Sequence, residues 1–457
     1  MQRVIPFQLI YLCLIYVFSL FSFWNKSFPS FQFNVDIASF NWLNIIYAFG
    51  IDSISNFFVI LCSFLLLVCL LLCWFWSYEL SFFNFNIVFI LYCLINLFFV
   101  KDIFLLFFFF ELVILPLFLL VGIWGSRDRK IYASYLLIVY TLLGSIFAVF
   151  SFIIIYSTLG SSSSLHILNS NTNLDTNIQS ILFAFIFLSF SVKVPVVPIH
   201  IWLPEAHVEA PTPGSVILAG IVLKLGFYVY LRALVFTFFY ITSIFMSFIF
   251  VLSLVGLYMS SFAALAQVDM KKVVAYSSIS HMNFSLIGLF SGNIIAIIGS
   301  FFMMFGHALV SGALFSSIGI LYDRYKTRLF FYLGGFVLLM PLWSSLFFIF
   351  ILGNFSLPGT INFVGEFVIF VGSFFVSNFV IIVCFIGLFI TLIYSLFLYI
   401  RLANGEIRAA YIRYFADLTR REYSLLLPLV VMVIIFGVAP NIFIDYFFSN
   451  LYYYYMH

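Results

Sequence analysis

Charged residues are scarce in this sequence. Only 8% of its 457 residues are charged, and 65% are hydrophobic. A soluble domain carries about 25% charged residues, so the composition excludes a soluble globular protein. Long polar segments are also lacking, which excludes a large domain outside the membrane. The longest polar stretches are 25–51, 158–180 and 403–423.

Apolar runs of spanning length recur along the whole chain. A helix needs about 20 predominantly apolar residues to cross a bilayer. Segments of about 10 residues with alternating polarity, which a membrane β-barrel requires, are lacking. The sequence therefore predicts an all-α polytopic membrane protein, a bundle of about 13 transmembrane helices. The candidate spans are roughly 4–24, 52–76, 82–100, 103–124, 131–157, 181–201, 212–232, 238–261, 270–290, 294–322, 338–375, 378–402 and 424–447.

The cysteines do not follow a metal-binding pattern. All six lie in apolar spans, and Cys69 and Cys73 are one helical turn apart, unlike the loop spacing of zinc or iron–sulfur sites. The favoured interpretation is that they are small buried hydrophobes. The other four are Cys13, Cys62, Cys93 and Cys384.

Two of the predicted spans are interrupted by proline. The 181–201 span runs into a segment with five prolines, and the 338–375 span is interrupted at Pro358 and Gly359. Broken helices at bilayer depth line cavities, and a pair of them in corresponding halves is typical of inverted-repeat transporters. The sequence thus predicts two inverted repeats, each with one broken helix. The resulting division is 1–102 for the N-terminal helices, 103–232 and 233–402 for the repeats, and 403–457 for the last loop and helix.

Six ionisable side chains lie inside stretches that are otherwise almost purely apolar. Each costs roughly 2.5–3.5 kcal/mol at bilayer depth unless it has a partner or water. Lysine and carboxyl groups change their proton affinity readily with their surroundings, and histidine titrates near neutrality. The set therefore predicts a proton path. Its members are Glu111, Lys193, Lys224, His281, His307 and Glu366.

The sequence disfavours two possible metal sites. His200, Glu205, His207 and Glu209 are donor residues, but no His-x-x-x-His pair occurs among them and the prolines disturb the helical register. A structural or proton-access role is favoured instead. The two histidines of the predicted path offer at most one pair of haem ligands. The expectation is therefore no metal and no cofactor in this chain.

Basic residues concentrate on one side of the predicted helices. Fourteen of the 19 fall on the side of the N-terminus, and only Lys26, Lys101 and Arg232 fall on the other side. Short basic loops stay on the side from which insertion occurs. The sequence therefore predicts an N-terminus in the matrix or cytosol and a C-terminus in the opposite compartment.

Several segments resemble the antiporter-like proton-channel subunits of respiratory complex I. The resemblance extends from about Gly50 to Asp445. Members of that family usually have two helices before the segment GIDSIS, whereas one is visible here, so the first family helix is expected to be missing. The resembling segments are FFFFELVILPLF, KVPVVPIHIWLPEAHVEAPTPGSVILAGIVLKLG, ALAQVDMKKVVAYSSISHMNF, GHALVSGALFSSIGILYDR and LPGTINFVGEF.

The resemblance assigns a role to each residue of the predicted path. It also indicates a branch of the family other than chains 2 and 5. Those chains usually carry lysine where this path ends in Glu366, and chain 5 has a long lateral helix after its last span. The roles are the carboxylate Glu111 paired with Lys193, the central relay Lys224, His281 and His307, and the exit residue Glu366.

The resemblance further implies a subunit that pumps protons but holds no redox cofactor. Flavin mononucleotide, iron–sulfur clusters and ubiquinone are expected in other subunits. The expected partners are lipid and the other membrane-arm subunits, especially antiporter-like chains 2 and 5, and not nucleic acid. The 67 phenylalanines are typical of an AT-rich organellar genome, which favours the mitochondrial inner membrane. The alternative is a stand-alone Mrp-type cation/proton antiporter, and a purely structural scaffold leaves the buried ionisable residues unexplained.

Overall fold

The computed structural model describes residues 3–21, 23–25, 31–40, 45–74, 76, 78–159, 174–407, 416–442 and 444–446. Helices dominate this part of the chain. They are α1 (Val4–Ser19), α2 (Ser53–Leu72), α3 (Leu80–Phe99), α4 (Ile103–Trp124), α5 (Lys130–Leu159), α6 (Thr176–Ser191), α7 (Trp202–Glu209), α8 (Thr212–Val235), α9 (Phe239–Ala266), α10 (Met270–Leu289), α11 (Ile294–Tyr325), α12 (Pro341–Asn354), α13 (Ile361–Phe374), α14 (Asn378–Ala403) and α15 (Arg420–Val438).

The helices follow the predicted spans. Nine helices of the described part are long and apolar enough to cross a membrane. Both predicted breaks are present, one between α6 and α7 and one between α12 and α13. The end of the last predicted span and the tail from residue 447 lie outside the described residues.

Helix α10 shows where the polar residues go. It has spanning length but is not among the nine, because two lysines, several serines, an asparagine and a histidine lower its hydropathy. Nearly all of its side chains are buried inside the protein rather than facing outward. Its serine hydroxyls donate to carbonyls three or four residues earlier, which satisfies them within the helix. The polar interior of the bundle is therefore built around α10.

A β-hairpin precedes α2, and the all-α prediction omitted it. Strands β1 (Gln32–Phe40) and β2 (Ile45–Ile51) pair antiparallel. The alternating polarity of 32–36 is a strand signal, but the segment is short and lies in the polar stretch 25–51. The backbone N–H of Lys101 donates to the carbonyl of Ala48 at 3.1 Å, which ties the hairpin to the turn between α3 and α4.

Basic residues meet at the opposite end of the bundle. Arg3 donates to the carbonyl of Trp76 and Arg421 to that of Leu71, each at 3.2 Å. These contacts bring the starts of α1 and α15 to the end of α2. The sequence assigns both arginines to one side of the membrane, and the structure places them at one end of the molecule.

Candidate functional site

The first break places Lys193 just beyond the end of α6. Pro195 and Pro198 have no N–H, so helical hydrogen bonding stops there. The carbonyls released in this way find other donors inside the protein. Trp202 Nε1 donates to Val192 at 2.8 Å, and Asn283 Nδ2 donates to Pro195 at 3.2 Å. The break is thus a built feature that holds Lys193 among fixed polar groups.

Lys193 forms an ion pair with Glu111. Its Nζ lies 3.3 Å from Glu111 Oε1, and it also donates to the carbonyl of Phe110 at 3.2 Å. The same ammonium lies 3.0 Å from the centroid of the Phe110 ring. Lys193 is 3% exposed and Glu111 is 23% exposed. The pair therefore joins a buried cation to a carboxylate that reaches the edge of the bundle.

Proline also shapes the segment around Glu111. Pro116 lacks the N–H that would bind the carbonyl of Leu112. Helix α4 is accordingly irregular at Val113, one turn before the proline ring. The carboxylate of Glu111 lies directly before this irregularity.

Lys224 lies next to a π-helical segment of α8, Leu218–Val222. Such segments alter the hydrogen-bonding ladder and are frequent at functional sites. The Lys224 ammonium lies 2.5 Å from the Ala219 carbonyl and 2.8 Å from His307 Nδ1. Lys224 and His307 are both almost fully buried. An amine and an imidazole at this distance can exchange a proton directly.

The series of ionisable side chains extends from His307 through His281 to Glu366. The rings of His307 and His281 have centroids 5.6 Å apart. His281 Nδ1 lies 3.7 Å from Glu366 Oε1, which is beyond a hydrogen bond but within an electrostatic contact. Four predicted residues on four helices thus form a buried series, in which the described residues Lys224 and His307 are joined by a hydrogen bond and the others by proximity. Its order is Lys224, His307, His281 and Glu366.

Glycines allow this close approach of α11 and α13. A Cβ on Gly365 would lie 2.6 Å from the backbone nitrogen of Met303, and one on Gly299 would lie 2.6 Å from that of Ile369. Small residues let helix backbones approach closely in membranes. Glu366 follows Gly365, so its carboxyl group lies on a helix that packs closely against the helix of His307.

The predicted residues form two groups rather than one. Glu111 and Lys193 are one group, and the buried series is the other. Within the described part of the chain, no hydrogen bond or ion pair links Lys193 to Lys224 directly. Lys193 nevertheless packs against α8, since a Cβ added to Gly226 would lie 3.4 Å from the Cβ of Lys193.

The donor cluster near the first break is dispersed among separate partners. Glu205 pairs with Lys272 at 2.9 Å, and Glu209 lies 3.6 Å from Arg328. His207 stacks on the ring of Phe315 with centroids 4.9 Å apart. Among the residues that the structure describes, no three histidine, cysteine or carboxylate side chains are grouped to hold a metal ion.

Arg328 connects this region to the basic end of the bundle. It lies outside the spanning helices and also donates to the carbonyl of Val208. Burial lowers the pKa of its guanidinium, and nearby Arg127 acts in the same direction, whereas Glu209 opposes both. A guanidinium stays charged under such conditions because its unperturbed pKa is above 12.

A buried ion pair between Asp52 and Arg232 was missed in the sequence. The sequence places Arg232 at the end of the predicted 212–232 span and counts it among the basic residues on the side opposite the N-terminus. In the structure it is 8% exposed and pairs with Asp52, which is fully buried. Asp52 also accepts from the backbone of Ser55 at 3.1 Å and caps α2. The Asp-x-x-Ser spacing was a detectable capping signal, whereas the arginine partner on α8 was not.

The fold and the buried acid–base series define a multi-pass membrane protein of the antiporter-like, ion-translocating class. A model of the family described as NADH:quinone oxidoreductase/Mrp antiporter, transmembrane, matches residues 100–391. NADH-ubiquinone oxidoreductase chain 4 of Arabidopsis thaliana is 44% identical over 455 residues, covering 97% of this chain and 90% of that protein. The Marchantia polymorpha chain 4 is 45% identical over 436 residues, covering 94% and 87%. The chain therefore belongs to the chain 4 family.

Solved structures show the same fold. A chain of respiratory complex I from Thermus thermophilus superimposes with a TM-score of 0.90 at 22% identity, covering 99% of this chain and 95% of that one. A chain of the Mrp complex from a Dietzia species gives 0.87 at 17% identity, covering 99% and 92%. At these identities the likeness shows the architecture alone. Both a complex I chain and an Mrp chain share that architecture.

Proposed function

We propose that the chain is a proton-translocating membrane-arm subunit of respiratory complex I, where it couples NADH oxidation and ubiquinone reduction to proton pumping. The observation that carries the proposal is the buried series from Lys224 to Glu366. Buried ionisable residues are costly in a membrane, and chains of them mark proton relays in pumps. Membership in the chain 4 family supports the same function.

The path has three stages. Opening and closing of the ion pair between Glu111 and Lys193 controls proton movement, because low local dielectric strengthens the coupling between the two charges. The Lys224 ammonium then gives a proton to Nδ1 of His307, and the other ring nitrogen releases one toward His281. Glu366 accepts the proton and releases it on the far side.

This chain does no redox chemistry under the proposal. Flavin mononucleotide, iron–sulfur clusters and ubiquinone belong to other subunits, and the electron transfer there is coupled to the proton path here. The expected neighbours are antiporter-like chains 2 and 5. The expected location is the mitochondrial inner membrane, with the basic end of the bundle facing the matrix and the hairpin facing the intermembrane space.

Lys224→Met tests the proton path in the assembled complex. Methionine keeps an unbranched apolar stem but removes the titrating amine. Proton pumping and coupled ubiquinone reduction should both fall, while NADH oxidation by an artificial electron acceptor should be retained. Lys272→Met is the matched control because that lysine pairs with Glu205 near the surface, outside the series. Normal pumping by the Lys224 variant would contradict the proposal.

A stand-alone Mrp-type antiporter is the second candidate, since the Mrp chain shares the fold. Chain 4 relatives at 44% and 45% identity favour complex I. Purification separates the two candidates. Co-migration with flavin and iron–sulfur subunits supports complex I, whereas sodium–proton exchange by an assembly without them supports the antiporter.

A further inference from the structure

Helix α8 is held to its neighbours by two residues on the same face as Lys224, one turn and two turns nearer the helix C-terminus. Lys224, Tyr228 and Arg232 are spaced by four residues and so share that face. The Tyr228 hydroxyl donates to the carbonyl of Phe98 at 3.0 Å and accepts from Arg232 Nε at 3.2 Å. Arg232 in turn pairs with Asp52 at the start of α2. The face is therefore tied to both α2 and α3.

Helix α2 contacts α8 at a second place, on the other side of Lys224. A Cβ on Gly220 would lie 2.6 Å from Leu65 Cδ1, so the leucine side chain packs directly onto the glycine. Gly220 lies in the π-helical segment whose Ala219 carbonyl binds the Lys224 ammonium at 2.5 Å. The two contacts together prevent α8 from sliding along α2.

We propose that Asp52, Arg232 and Tyr228 form a clamp that positions Lys224 for proton transfer. The inference rests on the proposed function, in which Lys224 exchanges a proton with His307. The clamp fixes the height of α8, and this height sets the 2.8 Å separation between the Lys224 ammonium and His307 Nδ1. A misplacement of about 1 Å can slow a reaction up to about 100-fold. These three residues touch no transferred proton and act through Lys224.

Two tyrosines on the same helix provide a matched test in the assembled complex. Tyr228→Phe and Tyr230→Phe each remove one buried hydroxyl that donates to a backbone carbonyl. The Tyr228 hydroxyl donates to Phe98 at 3.0 Å, and the Tyr230 hydroxyl donates to Phe187 at 2.8 Å. Only Tyr228 belongs to the clamp. Tyr228→Phe should lower coupled turnover about threefold or more and displace the pH profile of ubiquinone reduction. Tyr230→Phe should leave that profile in place.

Arg232→Lys gives a second line of evidence. Lysine keeps the charge opposite Asp52 but has no Nε to donate to Tyr228. Arg232→Lys should displace the pH profile of ubiquinone reduction in the same direction as Tyr228→Phe. The variant that combines both changes should show little further displacement, because both changes break the same hydrogen-bond network. Equal profiles for Tyr228→Phe and Tyr230→Phe in complexes assembled to the same level would overturn the clamp.

Failure of the clamp and failure of the proposed function are distinguishable. If Lys224→Met loses pumping while Tyr228→Phe behaves normally, the relay stands and the clamp is only structural. If Lys224→Met pumps normally, the proposed function falls and the clamp falls with it.

Discussion

At the first helix break the ionisable residue is a lysine that follows the end of α6, whereas at the second it is a glutamate inside the next helix, α13. Lys193 has a carboxylate 3.3 Å away and also donates to the carbonyl of Phe110. Glu366 lies in the second turn of α13, beyond the reach of the helix N-terminus, and its nearest ionic partner is His281 at 3.7 Å.

The difference indicates two ways of using a broken helix. The first break gives its residue an ion-pair partner and a carbonyl acceptor within hydrogen-bonding distance. The second leaves its carboxyl group 3.7 Å from His281, beyond a hydrogen bond. A relay needs both kinds of site, because a proton must be held at one place and released at another.

Replacing Lys193 should have the largest effect, since it removes the charge around which the first break is built. In Lys193→Met, pumping and coupled ubiquinone reduction should fall by at least about 100-fold, the low end of what a positioned acid or base contributes. Assembly should survive because methionine can occupy the space against Phe110. Flux measurements in sealed vesicles check this, and a fully coupled variant would show that the ion pair is dispensable.

Replacing Glu366 should have a smaller, graded effect. Glu366→Gln keeps the shape and hydrogen-bonding capacity but removes the titration, so proton transfer should fall severalfold while the complex still assembles. Glu366→Asp should retain part of the activity, because the acid remains but its reach shortens. The order Glu, Asp, Gln in pumping per NADH oxidised is the expected result. If Gln pumps as well as Glu, the exit lies elsewhere.

The difference between the breaks was only partly visible in the sequence. Prolines marked both of them, and isolated ionisable residues in apolar runs marked the path, since each is costly there. Pairings between residues more than 80 positions apart, such as Lys224 with His307, came from no local pattern. The Ala219 carbonyl that binds Lys224 lies in a π-helical segment, and no residue type in the sequence predicts such a segment.

The division into repeats illustrates the same limit. The boundaries 103–232 and 233–402 give four spans in the first repeat and five in the second, with the broken span third in one and fourth in the other. If the first repeat begins at α3 instead, both contain five spans and the break is the fourth in each. The longer first repeat is a proposal from the helix order, and the boundaries 103–232 and 233–402 stay a prediction. Superposing α3–α8 on α9–α14 with inverted topology tests it.

Glycine contacts allow the second break to be disturbed without changing an ionisable residue. Gly365→Ala places a Cβ 2.6 Å from the backbone nitrogen of Met303, so α13 must move away from α11. Such overpacking costs about 1–3 kcal/mol, and it should separate Glu366 from the histidines. A lower thermal stability of the complex and weaker pumping are expected.

Gly122→Ala is the matched control for this prediction. Among the described residues, a Cβ there would meet only Ser134, with Oγ at 3.6 Å, which is an ordinary contact. This variant should behave like the parent protein. Equal behaviour of the two alanine variants would mean that the close approach of α11 and α13 does not set the geometry of the second break.

The smallest effect is expected from labels that only report which side each end of the bundle faces. Val35 in the hairpin is 56% exposed, and Glu406 is exposed near the end of α14 at the basic end. Val35→Cys should react with an impermeant maleimide from the intermembrane space, and Glu406→Cys only after the membrane is opened, with activity unchanged in both. This result would place the release side of Glu366 at the hairpin end. Labelling of both cysteines from one side would mean that a span is missing or surplus, and the proposed direction of transport would then have no structural basis.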